Sequence, residues 1–111
     1  MPTLKMSDHS IEVDSEGYLC NLDDWSKETA ESIAINDGIQ LSSNHWEIIN
    51  LLRGFYAEYQ ISPAMRILVK QAKNQLGNDK GSSIYLLTLF PGSPAKLASK
   101  IAGLPKPTNC L

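Results

Sequence analysis

Apolar residues recur at period two near the start of the chain and at three-to-four spacing afterwards, and that change divides it. Ile11-Glu12-Val13-Asp14 alternates apolar and polar, as a half-buried strand does. Asp14-Ser15-Glu16-Gly17 supplies a turn in which Gly17 is free to take positive φ, and Tyr18-Leu19-Cys20-Asn21-Leu22 returns. A weaker strand, Thr3 to Met6, precedes a Ser7-Asp8-His9 turn. Residues 1–22 therefore predict a small antiparallel hairpin that the weaker strand extends to a three-stranded meander.

Residues 23–102 carry helical punctuation. Asp23 or Asp24 caps a helix through Asn36, with Gly38 placed for a left-handed C-terminal residue. Ser42, Ser43 and Asn44 compete to cap the next helix, whose apolar positions Trp46, Ile49, Leu52, Phe55, Tyr56 and Tyr59 bury one face. Ser62-Pro63 starts a third helix with Pro in its first turn, and Met65, Leu68, Val69, Ala72 and Leu76 form its inner side before Gly77-Asn78 ends it. A short helix from about Ser82 to Leu89 follows, and Ser93-Pro94 caps a last one to about Ala102. The expected fold class is α+β, with the hairpin packed on about five α-helices.

Residues 103–111 have no period, and Pro105 and Pro107 forbid regular hydrogen bonding. This predicts an extended, mobile C-terminal arm unless a partner holds it. From Gly103 to Cys110 its reach is at most about 24 Å, at roughly 3.3–3.6 Å per residue. The Pro-Lys-Pro unit stiffens it and lowers the entropy lost on docking.

The length of 111 residues suits one domain, 1–111, and 42% hydrophobic with 20% charged residues excludes a disordered chain. A net charge of −2 argues against a protein whose main task is gripping nucleic acid. No apolar run has the length of a membrane span, and the N-terminus lacks a secretory h-region, so a cytoplasmic location is expected with reduced thiols.

Cys110 stands first among residues that carry chemistry. A thiol on a Pro-stiffened arm is an unusual place for a packing residue, because free cysteine is normally buried and an exposed one invites oxidation. Sulfur or disulfide exchange suits the placement, since a thiolate must enter another protein's pocket to attack a sulfur there. An incidental surface cysteine in a frayed tail fits the same position. Cys20, beside Tyr18 and Leu22 in the strand pattern, is expected to be a small core or half-buried side chain. A Cys20–Cys110 redox pair requires the arm to fold back across the hairpin.

His9 and His45 have no paired ligand at metal spacing, so no metal is expected. Arg66, Lys70 and Lys73 share the outer face of the third helix. They form a solvated face, a docking surface for an acidic partner, or part of a helix-turn-helix-like nucleic-acid module. Asp14, Glu16, Asp23, Asp24, Glu28 and Glu31 cluster at a turn and a helix start, where capping and the helix dipole account for them. There is no acid–base pair and no Gly-rich phosphate loop.

The ending Ala102-Gly103-Leu104-Pro105-Lys106-Pro107-Thr108-Asn109-Cys110-Leu111 resembles the arm of the TusE/DsrC sulfur-carrier family. The likeness covers nearly the whole chain. Glu16-Gly17-Tyr18-Leu19 matches the family's hairpin, His45-Trp46-Glu47 its central helix, and the stretch from Ser62 to Lys70 the next one. Tyr85 to Pro91 and Pro94-Ala95-Lys96 match the approach to the arm. In the gamma subunits of dissimilatory sulfite reductase a second cysteine closes an intra-arm disulfide. Its position here is Ser99, which favours the TusE branch.

This resemblance implies a sulfurtransferase, with Cys110 accepting a persulfide sulfur from a TusBCD-like donor complex. The recipient would be an MnmA-like tRNA thiolase, with tRNA in the same complex, for 2-thiolation of the wobble uridine. It implies no cofactor, no membrane partner and no direct DNA binding. Gly103, Leu104, Pro105, Lys106 and Pro107 become arm and partner contacts. Lys96, Lys100 and Lys106 lie near the arm, where cations favour a thiolate, or are ordinary solvated lysines. Two alternatives stand: a gamma-subunit-like redox partner of dissimilatory sulfite reductase, and the helix-turn-helix-like nucleic-acid module.

Overall fold

The computed structural model of the protein describes residues 2–107. Its N-terminal sheet has two strands, β1 (Thr3–Lys5) and β2 (Ser10–Glu12), paired antiparallel with Leu4 opposite Ile11. Both of these side chains point into the core. The sequence pattern favoured the next hairpin, yet it is reduced to one bridge between Val13 and Leu19. The Asp14 carboxylate explains the loss. Its Oδ1 accepts the N–H groups of Glu16 and Tyr18, both at 2.9 Å, and this tight turn draws in donors a longer ladder would need. Tyr18 and Leu19 are both buried, which a period-two strand does not permit, and Cys20 is exposed rather than half-buried.

Leu22–Asp24 form a single 3₁₀ turn, so Asp23 and Asp24 do not begin the first long helix. Helix α1 (Lys27–Asn36) starts after Ser26, whose Oγ accepts the Thr29 N–H at 3.2 Å. Between the 3₁₀ turn and this cap lies Trp25, which is extended and tied elsewhere by its indole. Gly38, at φ +78°, ends α1 as expected.

Helix α2 (Ser43–Tyr59) is capped by Ser42. His45 completes the cap, its Nδ1 accepting the Ser42 N–H at 3.0 Å while its Nε2 lies 2.9 Å from the Leu89 carbonyl. These partners require the Nε2–H tautomer, so His45 is a buried structural residue joining the start of α2 to Leu89.

Helix α3 runs Met65–Leu76, starting later than Ser62-Pro63 suggested. Ser62 is not its cap, because the Ser62 hydroxyl donates instead to the Pro105 carbonyl. Leu68 and Ala72 are buried with Met65, Val69 and Leu76 beside them, as the apolar stripe requires. Helices α4 (Ser83–Leu89) and α5 (Pro94–Ile101) start after Ser82 and Ser93. Helix α5 touches each of the other four helices. Its small residues Ala95, Ala98 and Ser99 allow that central position, since short side chains let the surrounding helices approach closely.

Candidate functional site: the root of the C-terminal arm

Helix α5 ends with carbonyls that have no partner within the helix. Two of them are claimed by side chains from distant elements. The Trp25 indole N–H donates to the Ile101 carbonyl at 2.9 Å, and Arg53 Nη1 donates to the Ala102 carbonyl at 2.7 Å. The Arg53 guanidinium also lies 3.8 Å from the centre of the Trp25 ring, so the two donors stack on one another. Burial pushes the guanidinium below its ordinary pKa.

Gly103 then turns the chain away at φ +75°, with its N–H on the Lys100 carbonyl and the Leu104 N–H on the Ser99 carbonyl. A side chain at Gly103 has no room, because a Cβ would fall 2.2 Å from Trp25 Cδ1. Glycine is needed here twice over, for the backbone angle and for the contact with the indole.

Gly103 and Leu104 are buried, Pro105 accepts from Ser62, and Pro107 is buried again. Lys106 Nζ lies 2.9 and 3.1 Å from the two carboxylate oxygens of Glu16 at the hairpin turn. Residues 103–107 form the irregular start of the arm expected from the sequence, and these contacts hold them against the body. A cleft of about 160 Å³ adjoins this segment, lined by Tyr56, Gln60, Ile61, Ser62, Pro105 and Lys106. Thr108, Asn109, Cys110 and Leu111 lie outside the described residues.

The three lysines near the arm separate. Lys100 Nζ is 3.0 Å from Asp37 Oδ2 and 5.9 Å from the centre of the Tyr18 ring. Lys106 is paired with Glu16. Both charges are offset by carboxylates, which weakens the expected pull on a thiol. Lys96 contributes its carbonyl, which accepts the Tyr18 hydroxyl at 3.0 Å. Ser99 is wholly buried, and its Oγ is without a hydrogen-bond partner among the described residues. Arg66, Lys70 and Lys73 are solvent-exposed on α3. Among the described residues no cluster of three or more His, Cys, Asp or Glu side chains could hold a metal, and no helix is long and apolar enough to cross a membrane.

Reading the sequence passed over Trp25, Arg53, Ser62 and the partner of Lys106. For Arg53 a signal existed. It sits four residues after Ile49 and three before Tyr56, a cation within the apolar stripe of α2, where only a paired charge is tolerated. Trp25 had no such signal, since its partner lies at the far end of the chain.

The family model described as DsrC like protein matches residues 5–111. The chain is 54% identical over 101 residues to Sulfurtransferase TusE of Escherichia coli, covering 91% of this chain and 93% of that protein. Sulfurtransferase TusE of Salmonella typhimurium has the same identity and coverage. Among solved structures, the fold is similar to Allochromatium vinosum DsrC at a TM-score of 0.89 and 50% identity, covering 98% of this chain and 97% of that one. It is also similar to the oxidized gamma-subunit of the dissimilatory sulfite reductase from Archaeoglobus fulgidus. There the TM-score is 0.87 at 37% identity, covering 99% and 100% of the two chains.

Proposed function

The chain belongs to the DsrC-like family, on its sulfurtransferase branch TusE, and we propose that Cys110 is the residue that carries the sulfur. The observation that supports this most is the extent of the family match, which runs through the arm to residue 111 and so includes the only thiol on it. The second thiol, Cys20, belongs to the body of the fold, at the edge of the N-terminal sheet.

The chemistry is a sulfane-sulfur exchange with no net oxidation. The Cys110 thiolate attacks the terminal sulfur of a donor's cysteine persulfide, forming a new S–S bond as the donor's S–S bond breaks. The bonding pair leaves with the donor sulfur as a thiolate, and the persulfide proton stays on the transferred sulfur. Delivery repeats the step, with an acceptor cysteine attacking and Cys110 returning to thiolate. We assign the donor to a TusBCD-like complex and the acceptor to an MnmA-like tRNA thiolase in the cytoplasm, with thiolated wobble uridine as the product. Pro105, Lys106 and Pro107 are the segment those partners meet on the way to Cys110.

A strain carrying Cys110→Ser tests the reading. Wobble 2-thiouridine, measured by nucleoside mass spectrometry, is expected to fall to the level of a strain lacking the gene. Unchanged thiolation would remove Cys110 from the relay.

The likeness to DsrC structures supports a second reading, a redox partner of dissimilatory sulfite reductase. Ser99 weighs against it. A buried hydroxyl has no sulfur with which to close a disulfide to Cys110. Co-purification with a sirohaem enzyme would revive that alternative.

A further inference from the structure

Arg53 and Trp25 do more than end a helix. We propose that they are positioning residues for sulfur transfer, fixing the direction in which the arm leaves the body so that Cys110 is presented to a docked protein partner. The proposal rests on Cys110 being the sulfur carrier.

The argument starts from what a helix end ordinarily does. Terminal carbonyls exposed to water accept hydrogen bonds from solvent, and the chain beyond them leaves in many directions. Here the Ile101 and Ala102 carbonyls are each taken by one long side chain, at 2.9 and 2.7 Å. Trp25 comes from the segment before α1 and Arg53 from the middle of α2, so the end of α5 is referenced to two separate parts of the body. The donors are stacked at 3.8 Å, and the Gly103 backbone lies directly against the indole. A rotation of the exit direction would break two hydrogen bonds and a ring contact together.

A simple structural cap needs less than this. Capping a helix is ordinarily achieved by glycine and local backbone bonds alone, and both are present at Gly103. The added guanidinium and indole supply orientation. Seven residues carry the chain from Gly103 to Cys110, so a change of angle at the root is passed on along the arm toward the thiol. Misplacing a reacting group by about 1 Å is enough to cost roughly a hundredfold in rate.

The test compares a protein donor with a small one. Sulfur transfer to Cys110 is followed from a TusBCD persulfide and, separately, from glutathione persulfide, in the native protein and in Arg53→Met, Arg53→Lys and Trp25→Phe. Trp25→Phe keeps a ring beneath Gly103 but removes the N–H donor together with part of the indole's area. With the protein donor, kcat is expected to fall by roughly tenfold to a hundredfold in Arg53→Met, with KM little changed. Arg53→Lys, which keeps a donor for the Ala102 carbonyl, should recover part of that loss. With glutathione persulfide, which reaches the thiol from any direction, the rates should agree within about twofold. Equal losses with both donors, or no loss with the protein donor, would overturn the proposal.

A second measurement does not depend on how well the variants fold. Cys20, which is exposed, and Cys110 are the two native attachment points for nitroxide labels, and their distance distribution reports the arm's direction relative to the body. A native distribution as broad as that of an unanchored peptide of the same length contradicts the proposal. The underlying assignment fails separately: if Cys110→Ser still takes up sulfur, the carrier is another residue. If native protein and variants all transfer equally through Cys110, only the positioning role is lost.

Discussion

Helices α3 and α5 are neighbours held in opposite ways. Helix α3 is an amphipathic surface helix, with Leu68 and Ala72 fully buried and Arg66, Lys70 and Lys73 facing water. It has an apolar stripe and ordinary freedom on its outer side. Helix α5 has Ala95, Ala98, Ser99 and Ile101 buried, and its last carbonyls are bonded to side chains of other elements. Hydrophobic burial is non-directional, so a stripe attaches a helix without dictating what its end points at. Hydrogen bonds are directional, and they are concentrated where the arm begins. The comparison teaches that this molecule places geometric precision at one end of one helix.

Five substitutions, the last followed through a pH series, break or sharpen that contrast. Leu68→Ala should remove the main anchor of α3, costing about 3 kcal/mol in urea unfolding, as buried leucine truncations do. A cost below about 1 kcal/mol would mean that α3 is held by something other than its stripe. Gly103→Ala should cost about 2 kcal/mol, from the positive φ together with the collision against Trp25. Calorimetry showing a native melting temperature for this variant would refute the close packing at the root.

Ser99→Ala is expected to be neutral or to stabilise by about 1 kcal/mol, because the hydroxyl it removes is buried without a partner among the described residues. Clear destabilisation in denaturant titration would reveal a hydrogen bond on that oxygen. Glu16→Gln should cost less than about 1 kcal/mol and the effect should shrink with added salt, since the pair with Lys106 is largely exposed.

The smallest effect concerns the loop after α3, where Lys80 pairs with Glu47. The hydrogen bond to Glu47 raises the lysine's pKa above its ordinary value. A raised value means the contribution is complete below the ordinary lysine range and disappears as pH rises through the folded-state value. The melting-temperature difference between native protein and Lys80→Met should therefore be small and constant near neutrality and vanish only in strong alkali. A difference that grows with alkalinity would reverse the sign.

Much of this was legible in the sequence. The helices could be read because each carries its own period and punctuation, as with the stripe from Met65 to Leu76 or Ser93-Pro94 before α5. Turn chemistry misled where a local side chain outcompeted the ladder, as Asp14 does in the hairpin. Asp23-Asp24 and Ser62-Pro63 looked like helix starts, but residues beside or within them, Trp25 and Ser62, are engaged by the arm root. Those engagements join positions more than forty residues apart, and no local pattern records such a pairing. The sequence singles out Cys110 as the proposed carrier by its place on the arm and offers a hint of Arg53 in the stripe of α2, whereas the joining of Arg53 and Trp25 at the arm's base is visible only in three dimensions.

The most direct test of the account is the intact mass of the protein after incubation with a persulfide donor, followed by peptide mapping. A gain of one sulfur, about 32 Da, located on Cys110 and absent from Cys110→Ser, is the predicted result. The same gain located on Cys20, or retained in Cys110→Ser, would contradict it.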